Sequence, residues 1–177
     1  SHFGWQSAFV VAAGCALAGW LLVLRVVPRQ TISAPHSKAS TTFNFRPVLA
    51  NRPAMAYAVA YCVHTWEMGA IRGWVVVFLA WVASQHGSAG EHWLSPAAAA
   101  TAMALVGTWA SVSGNELSIR LGRKNLIAVA MLGAGLLALV IGPLGSLSYT
   151  LAVALVLLYG ALIWLDSSSL TAGAAGS

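Results

Sequence analysis

Residues 54–84 read AMAYAVAYCVHTWEMGAIRGWVVVFLAWVAS. The run crosses a bilayer with residues to spare, since the hydrocarbon core takes about 20 helical residues. It does not alternate apolar with polar side chains, as a strand of a membrane barrel would. Four further runs, at 7–27, 96–114, 126–141 and 148–170, have the same character. The run at 126–141 is the shortest, and its ends are expected to reach Asn125 and Leu144. Backbone groups in lipid must be satisfied inside a helix or a closed barrel. The sequence therefore predicts an all-α, polytopic transmembrane bundle of five helices.

Composition agrees. The chain has 177 residues, 59% hydrophobic and 7% charged, where a soluble domain carries roughly 25% charged residues to wet its surface. Nine Lys and Arg against four Asp and Glu give a net charge of +5. Nucleic-acid binders gather such charge on a solvated face with aromatics to stack bases. Here the bases sit between apolar runs, so nucleic acid is not an expected partner and the lipid bilayer is. Arg25, Arg29, Lys38, Arg46 and Arg52 lie in or beside segment 28–53, and Arg120, Arg123 and Lys124 lie in 117–124. The connections at 85–95 and 142–147 hold no Lys or Arg. Bases on alternate loops mark the cytoplasmic side. Segment 28–53 is thus expected in the cytoplasm and the start of the chain outside, in a bacterial-type inner (plasma) membrane. The remaining base, Arg72, lies within a span.

Local signals mark the ends of the spans. Pro28 follows the first. Ser95-Pro96 pairs an N-cap with proline at the first helical position. Gly142, Pro143, Gly145 and Ser146 predict a tight turn. Trp5 and Trp93 fall at expected interfaces. Cys15 and Cys62 have no metal-ligand or CxxC spacing and read as small buried hydrophobes. No metal or cofactor is expected. Segment 28–53, rich in Ser, Thr, Pro and Ala, reads as a linker between one span and four. The chain begins with Ser1 and is expected to be part of a longer protein.

The candidate chemistry lies mainly in the second span. Glu67 is about 20 Å along that helix from Ala54, near the bilayer centre, where a carboxylate needs a partner, water or a proton. His64, three residues earlier, shares its face. Arg72 is turned away from Glu67 and is expected to meet a partner on another helix or an anionic solute. Asp166, in the last run, reads as an interfacial acid ending its helix, with a second proton or cation site as the alternative. The purely structural reading of all four is an ion-pair network holding helices together. One His and one Glu fall short of the two-His zinc spacing. Gly133-Ala-Gly135 and Gly69…Gly73 lie inside apolar runs and are expected to let helices approach closely.

The segment Gly114-Asn115-Glu116-Leu-Ser-Ile119-Arg120-Leu-Gly122-Arg123-Lys124 resembles the cytoplasmic loop signature of the major facilitator superfamily. Arg120, Gly122, Arg123 and Lys124 match in register. Ile119 replaces the expected Asp, Asn115 replaces the first Gly, and Gly114 stands one place early. Glu116, four residues before Arg120, is placed to substitute for that Asp if the helix continues. The opening Gly4-Trp5-Gln6-Ser7-Ala8-Phe9 is similar to the family's entry into its sixth helix. The resemblance implies that 1–27 is the last helix of an N-terminal half and 28–53 the central linker. It makes 54–177 the first four helices of a C-terminal half, so five helices precede the chain and two follow it.

The family implies alternating access to a site between two halves, with Glu67 and Arg72 facing the central cavity. The expected function is secondary active transport of a small solute, with protons as candidate coupling ion and no enzymatic activity. The alternatives are a small five-helix membrane scaffold or a subunit of a membrane-embedded enzyme. For the last, His64, Glu67 and Asp166 are the only catalytic candidates.

Overall fold

The computed structural model describes residues 46–87 and 93–175, together with positions 14, 17, 18 and 25, which are helical. The rest of the expected first span, the segment 4–9 and most of the linker lie outside the described residues. The chain divides into a unit Ser1–Phe43 and a unit Asn44–Ser177. The second unit holds α1 (Arg46–Ala50), α2 (Arg52–Gln85), α3 (Pro96–Leu121), α4 (Arg123–Gly145), α5 (Tyr149–Leu165) and α6 (Ser167–Ala175). Among the described residues there is no strand. Among the described residues, four stretches are long and apolar enough to cross a membrane: Arg52–Gln85, Pro96–Leu121, Arg123–Gly145 and Tyr149–Gly173.

Each boundary has a local cause, and several differ from expectation. The second span opens at Arg52, and the end of the expected linker is already helical in α1. Asn51 caps α2, its Oδ1 accepting from the Ala54 amide at 3.3 Å. Ser95 caps α3 as expected, its Oγ accepting from the Ala98 amide at 3.2 Å. The third span does not stop at Gly114 but runs to Leu121. A single helical glycine costs only about 1 kcal/mol, and no proline follows it. The expected loop 117–124 therefore shrinks to one residue, Gly122, at φ 82° and ψ 135°, a conformation that side chains with a Cβ resist. Likewise the expected turn at 142–146 is helical through Gly145. Pro143 sits in the last turn of α4, where little helix remains beyond it to disrupt.

The core is built around α5, which packs against α2, α3 and α4. Val75, Leu79, Val82 and Ala83 of α2, Ala99 and Met103 of α3, and Tyr149, Ala152, Val153 and Val156 of α5 form its buried centre. Two polar ties close one end. The Tyr149 hydroxyl donates to the Leu94 carbonyl at 2.8 Å, and a ring nitrogen of His86 lies 2.7 Å from the Ser146 carbonyl. The outside is as apolar as the inside. Trp66, Trp109, Val112 and Leu139 are each more than two-thirds exposed. Such a surface suits a hydrocarbon solvent.

The helices approach closely where the chain has glycines other than those expected. A Cβ on Gly114 would strike the Leu165 carbonyl oxygen, and one on Gly160 would strike Met103. Gly69, Gly73 and Gly135 instead face open space, and Gly133 makes only ordinary contact with Leu162. Cys62, expected to be buried, is exposed.

Candidate functional site

Glu67 lies 15 residues from Arg52 and 18 from Gln85, the two ends of α2, so it occupies the middle of the span. Around it α2 presents three polar side chains, and each meets the stretch formed by α5 and α6. The Glu67 Oε1 accepts a hydrogen bond from the Tyr159 hydroxyl at 2.8 Å. The Arg72 guanidinium lies over the Trp164 ring, 4.9 Å from its centroid, within the reach of a cation–π contact. That indole packs in turn against Gly107, where a Cβ would come within 2.5 Å of Trp164 Cδ1. Arg72 thus finds its partner on another helix, as expected, but the partner is an aromatic face.

His64 and Glu67 share a face of α2 yet have different partners. The His64 Nδ1 lies 3.1 Å from Asp166 Oδ1, with each side chain only 3% exposed. Asp166 ends its helix, as the sequence suggested, but its side chain is buried inside the bundle. The residue separates α5 from α6, and its amide bonds back to the Trp164 carbonyl. Its carboxylate, however, turns inward onto α2. An ion this well buried is tolerated only with a partner, and among the described residues His64 is the ion-pair partner it has.

The contact is short but lacks the alignment of a hydrogen bond. Among the described residues, Asp166 Oδ1, His64 Nε2 and the hydroxyls of Ser168 and Ser169 are buried with no hydrogen-bond partner. Neither serine hydroxyl bonds to the carboxylate. Hydroxyls elsewhere in these helices turn back onto their own backbone, as Thr65 does to Tyr61, Thr108 to Ala104 and Thr171 to Ser167. Among the described residues the unpartnered buried polar atoms are those of His64 and of residues 166–169 at the α5–α6 junction. Among the described residues no three His, Cys, Asp or Glu side chains gather as a metal centre would require.

The segment 114–124 occupies the end of α3 and the start of α4. Gly114 is buried against α5, while Asn115, Glu116, Arg120, Gly122, Arg123 and Lys124 are exposed. Glu116 and Arg120 pair at 3.3 Å, one turn apart, because the helix does continue. Asn125 bonds across the corner to the Leu121 carbonyl at 3.1 Å.

Sequence reasoning missed Tyr159 and Trp164. Their signal was compositional: in the α5 sequence YTLAVALVLLYGALIWL they are the only side chains with a polar handle beyond its first turn.

The chain matches no protein-family model, no curated protein and no solved structure.

Proposed function

We propose that this chain is part of a secondary transporter of the major facilitator type, moving a small polar solute across a membrane by alternating access. The observation that supports this most is the row of polar contacts from the middle of α2 to α5 and α6. A scaffold holds its helices together by apolar packing and needs no ionisable groups at mid-membrane, where they are costly and default to function. Glu67, steadied by Tyr159, and Arg72, steadied by Trp164, are the groups that would meet the solute. Glu67 offers an acceptor, and Arg72, exposed and permanently charged, offers a fork of donors. The likeness of 114–124 to the family's loop signature supports the same reading, as does the Glu116–Arg120 pair in place of the absent Asp.

The test is solute counterflow in proteoliposomes with the full-length gene product, run across sugars, amino acids, carboxylates and organic cations. Exchange of a labelled solute is expected, reduced toward the empty-liposome level by Glu67→Gln or Arg72→Ala. No exchange of any class would overturn the proposal and leave a membrane scaffold as the better reading.

A further inference from the structure

The His64–Asp166 pair stands apart from the groups assigned to the solute. Glu67 is already engaged by the Tyr159 hydroxyl at 2.8 Å, and Arg72 lies on Trp164. We propose that His64 and Asp166 form one proton-binding site, with His64 Nε2 the atom that takes up and releases the proton. Its role in coupling proton movement to solute rests on the transporter reading; proton binding itself does not.

The proposed site carries a definite number of protons in each state. A neutral imidazole carries one N–H, and the nitrogen facing a carboxylate is the one that holds it. At 3.1 Å from Asp166 Oδ1 that nitrogen is Nδ1, which leaves a lone pair on Nε2. The pair then bears a net charge of −1 in a site where both side chains are 3% exposed. One proton from water, taken onto Nε2, forms the imidazolium and brings the pair to neutrality. Its return to water restores the negative charge. Among the described residues Nε2 has no hydrogen-bond partner, so none of their donors competes for its lone pair.

Other ionisable groups on the packed elements leave this assignment in place. On α2, Tyr61 has its ring 6.0 Å from the His64 ring. On α5, Tyr159 is bonded to Glu67. On α4, Lys124 lines an apolar groove with Tyr57 of α2 and Leu170 of α6. On α3, Glu116 and Arg120 pair with each other at an exposed position.

The experiment is nitrogen-15 NMR of histidine-labelled full-length protein in lipid nanodiscs. The His64 signals are assigned through Val63 and Thr65, and pH is varied between about 5 and 8, where histidine switches operate. The expected result is a ring protonated at Nδ1 alone at the upper end and at both nitrogens at the lower end. Asp166→Asn should abolish the doubly protonated form in that range, and Asp166→Glu should keep it. A His64 ring that never changes, or a doubly protonated form undiminished in folded Asp166→Asn, would overturn the site. If Asp166→Asn does not fold, the wild-type titration and Asp166→Glu decide. Counterflow by the wild type is read separately: its absence defeats the transporter reading, while the spectrum still decides the proton site.

Discussion

Two ion pairs of this unit have nearly equal length and opposite character. His64 and Asp166 meet at 3.1 Å with 3% of each side chain exposed, whereas Arg120 and Glu116 meet at 3.3 Å with 72% and 64% exposed. Distance does not separate them; surroundings do. Water screens the α3 pair and would serve either partner alone, so such contacts contribute little. The pair between α2 and the α5–α6 junction has given up water on both sides. Neither member can lose the other without leaving an unsupported polar group in an apolar interior. An ion pair is therefore evidence of function or constraint only where its surroundings make it expensive.

Four substitutions probe that difference, each read by SDS-induced unfolding of the protein in detergent micelles. Asp166→Ala leaves His64 buried and alone, and should destabilise by roughly 3–5 kcal/mol, the usual cost of breaking a buried pair. A loss under about 1 kcal/mol would mean that the two pairs are energetically alike. Gly114→Ala comes next, at about 1–3 kcal/mol, because its new methyl meets backbone at Leu165 and backbone yields less readily than side chain. If it is neutral, α3 and α5 can separate freely and the junction is less constrained than its burial implies. Ser169→Ala removes a buried hydroxyl that has no partner among the described residues and should be neutral or stabilising by up to about 1 kcal/mol. A clear destabilisation would show that this hydroxyl is satisfied after all. The smallest effect belongs to Glu116→Gln, a few tenths of a kcal/mol for an exposed pair one helical turn apart, and it should vanish in high salt.

Much of the architecture was legible because apolar runs and caps are local. The Ser95-Pro96 start of α3 and the Glu116–Arg120 spacing follow from residues within a few positions of one another. The errors were local too. Gly114 and Gly142 looked like stops, yet a helix tolerates a glycine that its neighbours use for packing, and it tolerates Pro143 near its end. The site was legible only in part. Glu67, Arg72 and His64 announce themselves as polar residues in an apolar run. Asp166 lay near the end of a span, and only its contact with His64, distant in sequence, reveals that the chain turns it inward. No periodicity within one helix encodes a partner on another, so Tyr159 and Trp164 also stayed hidden.

The length of α2 has a consequence for the membrane itself. Its 34 residues extend about 51 Å at the usual helical rise, against a hydrocarbon core about 30 Å thick. Spanning helices tilt by up to about 40°, which still leaves a projection of about 39 Å along the bilayer normal. At that tilt each residue advances only about 1.15 Å along the normal, so roughly eight residues must stand among the headgroups, and more at smaller tilts. The neighbouring α4, with 23 residues, fits the same core with little excess. Bilayer thickness therefore acts unequally on two helices of one bundle. A thicker, longer-chained bilayer draws more of α2 into hydrocarbon while stretching past the ends of α4. Acyl-chain length thus becomes a lever on the relative height of α2, the helix that carries His64, Glu67 and Arg72.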